Sequence, residues 1–276
     1  MQPLLSIVIA NYNYGRFLEE AIQSVLSQSC DDYELIIVDG GSTDNSVDII
    51  KKYEDKIAWW VSEEDKGQSD AFNKGFAHAK GKFGFWLNAD DAMMPGSIEA
   101  IIRYLSKHPK CEWLAGSTVY GDENLNIWRC SRCVKVWSFL GKFAPASPVN
   151  GPSSIFLLEN LRSVGGFDIT AHYVMDVDLW RRFWKRGIKL NFVKKYVWCF
   201  RLHEQSKTAS TITEHKVKNR TTGESDSVNL RYGATKRVRK VSEWINRFQR
   251  LISGTYFHSY VDTKKYKGRN FKEICN

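Results

Sequence analysis

Two adjacent carboxylates, Asp90 and Asp91, follow directly on the apolar run KFGFWLNA, which ends with Asn88 and Ala89. Like charges side by side at the end of a buried strand are costly unless a cation or a hydrogen-bond partner compensates them. Two interpretations are open. One carboxylate could cap the helix predicted for residues 97–108, or the pair could hold a divalent cation together with a phosphorylated substrate.

The segments that lead to these carboxylates alternate between strand and helix patterns. The predicted strands are residues 4–10, 33–40, 57–63 and 82–89. The predicted helices between them are residues 14–29, 45–53 and 69–79. Such alternation is typical of a parallel, doubly wound sheet, in which ligands bind beyond the carboxyl ends of the strands.

Every one of these strands ends in a polar and mostly acidic loop. The four loops are residues 11–13, 39–44, 63–67 and 88–91. Because the carboxyl ends of parallel strands meet at one edge of the sheet, we expect the loops to lie close together. They predict a site for a ligand with hydroxyl groups, phosphates and a metal.

The rest of the chain is predicted to extend this fold and then to change character. Helices are predicted for 97–108 and 172–187, and strands for 111–120 and 189–203. The segment 121–150 is less regular. A polar stretch over 206–235 predicts a linker, and a basic helix is predicted for 235–253.

The charge of the chain is concentrated in its last part. The formal net charge is +9 over 276 residues. Residues 201–276 hold 17 Lys and Arg against 7 Asp and Glu, whereas the first 200 residues hold 23 against 24. Six scattered cysteines suit a reducing cytoplasm. The first apolar run is interpreted as a core strand rather than a signal peptide, and no apolar stretch is long enough to span a membrane.

Seven segments, in their order and spacing, resemble the family 2 glycosyltransferases of the GT-A fold. They are SIVIANYN, IIVDGGSTDNSVDII, DKGQSDAFNKGFAHAKG, FWLNADD, VGGFD, MDVDLWRR and FRLHEQS. The resemblance covers roughly residues 4–210. It implies a Rossmann-like α/β GT-A domain over 1–210, with a mixed sheet flanked by helices, followed by a basic linker and helical tail over 211–276. It also implies an inverting enzyme that uses a nucleotide-diphospho-sugar, commonly a UDP-sugar, with Mn²⁺ or Mg²⁺.

The resemblance implies a nucleotide-sugar site at the strand ends. Asp39 is expected at the base or ribose and Asp65 near the uracil, where Gly67 permits close backbone approach. Gly40 stands where the family usually has a second acid, so more reliance falls on Asp39 and the loop after the first strand. The further expected contacts are Ala10, Asn11, Tyr12, Asn73, Asp90, Arg201 and His203.

The metal motif of the family corresponds to Asn88-Ala89-Asp90-Asp91, with Asn88 in place of the commoner Asp. Asp91 is expected on the metal, and Asp90 at the ribose or the metal. A hard cation held by carboxylates stabilises the charge that develops on a leaving diphosphate. His203 is either an exposed loop histidine or a metal or diphosphate contact, helped by Arg201 as a phosphate partner.

The catalytic base of the family corresponds to Asp176, by register with a Glu-Asp-x-x-Leu pattern in which Met175 replaces the usual Glu. Such a base takes the proton of the acceptor hydroxyl. Asp178 remains the second candidate. It could instead cap the helix or pair with Arg181 or Arg182. Ser153 and Ser154 are weaker acceptor-side candidates.

The basic helix over 235–253 has two main interpretations. It could pack on the catalytic domain, or it could lie on an anionic membrane leaflet. Nucleic-acid binding has no supporting motif. The resulting hypothesis is a cytoplasmic glycosyltransferase, either free or peripheral on the inner face of the plasma membrane, acting on a cell-surface polysaccharide or lipid-linked glycan.

Two alternatives from other classes stay open. One is a catalytically inactive GT-A protein that binds nucleotide or glycan, since Gly40, Asn88 and Met175 depart from the family pattern. The other is a basic membrane- or nucleic-acid-binding module whose acidic loops are only structural.

Overall fold

The computed structural model describes residues 2–134, 149, 151–206, 223–228, 230–232 and 235–274. The predicted linker over 206–235 and the less regular segment 121–150 lie partly outside these residues. The predicted domain boundary after residue 210 lies wholly outside them. None of the helices in the described part of the chain combines the length and the apolar character that crossing a bilayer requires.

Nine strands in the described ranges form one mixed sheet. Their bounds are β1 (Leu5–Asn11), β2 (Tyr33–Asp39), β3 (Trp59–Ser62), β4 (Phe83–Asn88), β5 (Ala92–Met93), β6 (Trp113–Gly121), β7 (Ile127–Ser131), β8 (Ser154–Leu157) and β9 (Leu190–Arg201). The order across the sheet is β3-β2-β1-β4-β8-β6-β9-β5, and β7 pairs with β6. The mixed α/β sheet implied by the resemblance is confirmed.

Helices flank this sheet. Their bounds are α1 (Gly15–Leu26), α2 (Ser46–Lys52), α3 (Gln68–His78), α4 (Ser97–Lys107), α5 (Leu158–Ser163), α6 (Met175–Lys185), α7 (Lys236–Ile252) and α8 (Thr255–Tyr266). Residues 223–228 are also helical. Short 3₁₀ turns lie at Glu54–Lys56, Gly151–Ser153 and Phe271–Glu273.

The parallel half of the sheet follows the predicted pattern. β2, β1 and β4 run parallel with β3 at the edge, so that Asn11 lies beside Asp39 and Ala10 beside Asn88. The residues from Leu35 to Asp39 are all buried, as expected for a strand covered by helices on both faces. The polar loops after these strands therefore do meet at one edge.

The second half of the sheet was only partly predicted. β8 joins β4 to β6 by antiparallel pairing, and β9 runs parallel to β6. The strands β5 and β7 were not predicted, because the first has two residues and the second lies in a stretch without clear alternation. The helix α8 was also missed. It packs along β7, where Thr263 Oγ1 accepts from the Cys130 amide (2.9 Å) and Ser259 Oγ from the Arg132 amide (3.0 Å).

Candidate active site

A cavity of about 920 Å³ opens at the carboxyl ends of β1, β2 and β4. The seven predicted site residues that line it are Ala10, Asn11, Tyr12, Asp65, Gly67, Asp90 and Asp176. Five others, Asp39, Asn73, Asp91, Arg201 and His203, lie outside the lining. Chain segments far apart in sequence, from β1 to β9, thus share one cavity.

Asp39 lies behind the cavity wall and is fully buried. Its Oδ1 accepts from Asn11 Nδ2 (2.6 Å) and Ser42 Oγ (2.5 Å), and its Oδ2 accepts from Ser62 Oγ (2.6 Å) and the Ser42 amide (2.9 Å). Four donors satisfy this buried carboxylate, so it braces the loops after β1, β2 and β3. Its predicted contact with a base or ribose stays a prediction.

Asn11 both donates to Asp39 and lines the cavity. Because its amide nitrogen donates to Asp39, its Oδ1 is the atom left over, and Oδ1 has no hydrogen-bond partner among the described residues. A buried acceptor without a donor is unusual in a folded protein. Asn11 therefore presents a hydrogen-bond acceptor at a wall of the cavity.

The space that a side chain at Gly40 would need is taken by the carboxylate of Asp65. A Cβ built on Gly40 would lie 2.7 Å from Asp65 Oδ2, which is closer than real contacts allow. The other oxygen of Asp65 accepts from the Gly67 amide at 2.7 Å. The Asp65 carboxylate thus occupies the space beside Gly40, and both residues line the cavity. An acidic group is present at this position after all, supplied by the loop after β3.

The two carboxylates after β4 have different surroundings. Asp90 lines the cavity, and its Oδ2 lies 3.1 Å from His203 Nε2. Asp91 is fully buried, and it accepts from Asn88 Nδ2 (2.8 Å) and from the Arg201 amide (2.9 Å). Burial and the neighbouring charge of Asp90 raise the pKa of Asp91 well above its usual value. As arranged here, Asp90 faces the ligand space and Asp91 holds the loop.

His203 is buried rather than exposed, which excludes the loop-histidine interpretation. Its ring packs against Phe17 (4.5 Å between centroids) and Tyr14 (5.6 Å), and its Nδ1 has no hydrogen-bond partner in the described ranges. The imidazole is therefore held in place with Nε2 directed at Asp90. Within the described residues, no three His, Cys, Asp or Glu side chains converge on a metal position.

Arg201 is buried, and each of the three nitrogens of its guanidinium donates a hydrogen bond to the protein. It donates to the Asp90 carbonyl (2.6 Å), the Glu123 carbonyl (2.5 Å) and the Glu20 carboxylate (2.8 Å). Lys272 also pairs with Glu20 at 2.8 Å. In this arrangement Arg201 positions the loop that carries Asp90, and its predicted contact with phosphate stays a prediction.

Asp176 and Asp178 open α6 but have separate surroundings. Asp176 lines the cavity and accepts from the Val177 amide at 2.8 Å. Burial raises the pKa of Asp176, although backbone amides, including that of Gly151, oppose the shift. Asp178 is buried away from the cavity, where Arg182 (2.8 Å) and the Tyr232 hydroxyl (3.0 Å) donate to it.

Two other predicted groups hold neighbouring segments together. Asn73 Nδ2 donates to the Phe167 carbonyl (2.9 Å), and Asn73 Oδ1 accepts from the Phe167 amide (2.8 Å). Ser154 Oγ accepts from Trp113 Nε1 at 2.6 Å, deep in the core. Both pairings are internal, and neither side chain lines the cavity.

Several lining residues were not predicted from the sequence. They include Gln68, Trp86, Gly151, Met175, Trp198 and Phe200. Gln68 could have been found, because it follows Gly67 in the same motif, and its Nε2 donates to Asn88 Oδ1 at 2.7 Å. The aromatic residues could not, because in sequence they read as ordinary core positions of β4 and β9.

The chain belongs to glycosyl transferase family 2, whose sequence profile matches residues 6–157. Its mixed sheet flanked by helices is of the GT-A type. An uncharacterized glycosyltransferase of Rickettsia prowazekii is 30% identical over 198 residues, which cover 66% of this chain and 59% of the relative. The chain thus spans about three-fifths of the length of that relative.

Two solved structures have the same fold. TarS 1–349 of S. aureus, in complex with UDP-GlcNAc, has a TM-score of 0.59 and 14% identity, over 80% of this chain and 66% of that one. The mannosyltransferase PcManGT of Pyrobaculum calidifontis, in complex with GDP-Man and Mn²⁺, has a TM-score of 0.58 and 15% identity, over 96% of this chain and 85% of that one. At these identities the likeness concerns the fold alone.

Proposed function

We propose that this chain transfers a sugar from a nucleotide-diphospho-sugar, a UDP-sugar in the first place, to a hydroxyl acceptor, with inversion at the anomeric carbon. The observation that carries the proposal is that Asp90 and Asp176 line one cavity. The first belongs to the strand ends that would hold the donor. The second is a partly desolvated carboxylate with a raised pKa, as a general base requires.

The donor would lie against the ends of β1, β2 and β4. Asn11 Oδ1 offers an acceptor for a ribose hydroxyl or a base N–H, and Asp65 offers a second one next to Gly40. Tyr12 lines the cavity with 60% of its surface exposed, so its ring is free to stack on a base. The choice of uridine over guanosine is part of the proposal, because the two structural neighbours hold different nucleotides.

A divalent cation, Mn²⁺ or Mg²⁺, fits the donor set formed by Asp90 Oδ2 and His203 Nε2. Such ions are commonly held by one or two protein groups and complete their shell with phosphate oxygens and water. When bound, the ion supplies positive charge that stabilises the leaving diphosphate. Asp91 as a direct ligand remains a prediction. It would have to exchange its bonds to Asn88 and the Arg201 amide for the cation.

Asp176 would remove the proton from the acceptor hydroxyl as the oxygen attacks the anomeric carbon. One new C–O bond forms, the bond from the anomeric carbon to the diphosphate oxygen breaks, and the nucleoside diphosphate leaves. Asp178 would hold α6 in place through Arg182 and Tyr232. The acceptor proposed is a cell-surface polysaccharide or a lipid-linked glycan made on the cytoplasmic side of the membrane.

The proposal is tested first by titration calorimetry of UDP, with GDP and dTDP as controls, with and without Mn²⁺. We expect UDP binding that Mn²⁺ strengthens, followed by transfer or slow hydrolysis with one member of a UDP-sugar panel. Absence of binding by all three nucleotides in folded protein would refute the donor site.

A non-catalytic role is the second candidate, because Asn88 donates to Asp91 where the family commonly has an acid. Nucleotide binding without turnover on any donor and acceptor pair would favour it. Turnover that the Asp176→Asn variant abolishes would contradict the non-catalytic role.

A further inference from the structure

Helix α7 turns its polar side toward the protein and its apolar side outward. Ser242, Asn246 and Gln249 are at most 9% exposed. The large apolar side chains are 44–68% exposed, and they are Val241, Trp244, Phe248, Leu251 and Ile252. Their spacing of three and four residues places them along one stripe of the helix. A helix packed only for stability would bury this stripe.

Helix α8 has the same inverted arrangement. Tyr256, Phe257, Tyr260 and Val261 are 43–66% exposed, whereas Thr255 and Asp262 are buried. Asp262 accepts two hydrogen bonds from the Arg132 guanidinium, at 2.5 and 2.9 Å, and another from the Tyr196 hydroxyl. Together with the bonds of Ser259 and Thr263 to β7, these contacts prevent the helix from rolling its apolar side inward.

The nine exposed side chains of α7 and α8 form what we call the outer face. Apolar surface of this extent is unusual on a protein that contacts only water. The segment is also strongly basic, since residues 235–269 hold ten Lys and Arg against two acidic residues. Of the two acids, Asp262 is paired with Arg132. Arg237, Lys240 and Arg247 are exposed on α7, and Lys264 and Lys265 are exposed on the last turns of α8.

We propose that the outer face docks on a bilayer that contains anionic lipid. Trp and Tyr favour the level of the headgroups, Val, Leu and Phe enter the acyl boundary, and Lys and Arg meet the anionic phosphates. A second copy of the chain would bring like charges together across the same face. A nucleic acid would neutralise the charge but leave the apolar stripe in water. The proposal concerns a surface separate from the cavity and does not rest on the transfer reaction.

The test is flotation of the full chain with phosphatidylcholine vesicles, with and without phosphatidylglycerol. We expect binding to the anionic vesicles to be about tenfold tighter or more, and to weaken as salt is raised. The double variant Trp244→Ser/Phe257→Ser should lose vesicle binding, while its melting temperature and its affinity for UDP stay unchanged. The matched control is Trp128→Ser, which removes an exposed Trp of β7 outside the outer face and should bind as the unmodified chain does.

A charge variant, Lys240→Glu/Arg247→Glu, should remove the preference for phosphatidylglycerol while leaving weak binding to neutral vesicles. Failure of the unmodified chain to bind either kind of vesicle would overturn the proposal. A dimer in sedimentation equilibrium that the Trp244→Ser/Phe257→Ser variant dissociates, without vesicle binding, would assign the outer face to a second copy instead.

Discussion

The body of the protein, by which we mean the described residues from 2 to 206, and the pair α7–α8 place their apolar side chains in opposite ways. In the body Trp86, Trp113 and Trp180 are buried, and polar groups gather around the cavity. In the pair, Trp244 is 66% exposed while Asp262 is buried. An amphipathic helix can pack with either its apolar or its polar face inward. The orientation depends on which face has packing or hydrogen-bond partners in the rest of the protein. α8 finds the free amides of the edge strand β7, which only polar side chains can satisfy.

Of the substitutions that test this difference between the body and the helix pair, the one with the largest expected effect changes turnover. Asp176→Asn removes the proton acceptor at the cavity and should lower kcat by about 10² to 10⁴-fold, with UDP affinity retained. Asp262→Asn, in the pair, should leave kcat unchanged. Product formation under donor saturation and calorimetry with UDP measure the two quantities.

The matched control for that change is Asp178→Asn on the same helix. It removes the acceptor of Arg182 and Tyr232, so we expect lower stability rather than lost transfer in the folded fraction. Loss of transfer by Asp178→Asn with normal transfer by Asp176→Asn would exchange the roles of the two carboxylates.

The second prediction compares two tryptophans. Trp113 is fully buried, and Trp113→Ala should lower the free energy of unfolding by about 4 kcal/mol. Trp244→Ala should change it by no more than about 0.5 kcal/mol, because the side chain already faces solvent. Urea unfolding followed by circular dichroism measures both. A large loss for Trp244→Ala would mean that the outer face is covered in solution.

The third prediction concerns Gly40 within the body. Gly40→Ala would bring a methyl group to 2.7 Å from Asp65 Oδ2 and displace that carboxylate. If Asp65 accepts one hydrogen bond from the nucleotide, UDP affinity should fall roughly tenfold. Gly223→Ala is the control, since a Cβ there meets no atom within 4 Å. Unchanged affinity in Gly40→Ala would remove Asp65 from the nucleotide site.

The smallest expected effect is that kcat and the stability of α8 are lost at different pH values. Burial raises the pKa of Asp176, and a base must be ionised to accept a proton. As pH is lowered, kcat should therefore begin to fall at a higher pH than that at which an ordinary Asp becomes protonated. Burial would also raise the pKa of Asp262, but hydrogen bonds from Arg132 and Tyr196 outweigh it, and the pKa is lowered. The stability that Asp262 contributes is therefore present at neutral pH and is lost only as pH falls through that lowered pKa.

On acidification, transfer should thus decline before α8 loosens. A kcat–pH profile compared with melting temperatures over the same pH range measures this order. Simultaneous loss of activity and stability would show that the fall in kcat is unfolding rather than protonation of Asp176.

Much of the body was predictable because its signals are local. The apolar run of β2 and the stripe of α1 depend on neighbours in sequence, so period and length were enough to predict them. The polar strand ends also met at one edge, as parallel pairing requires. The strand β7 and helix α8 escaped prediction because each owes its stability to the other rather than to its own pattern.

The sequence by itself determined the fold class, the family and the edge of the sheet where chemistry would be placed. For Asp90 and Asp91, only the tertiary structure decided which carboxylate faces the cavity, whereas register with the family motif already favoured Asp176 over Asp178. Asp90 and Asp176 face the cavity, and Asp91 and Asp178 are bonded internally, because partners from distant segments, such as Arg201 for Asp91 and Tyr232 for Asp178, reach one member of each pair. The orientation of α7 and α8 was decided in the same way. A residue's type sets what it can bond, but its partners are set by contacts that sequence spacing does not record.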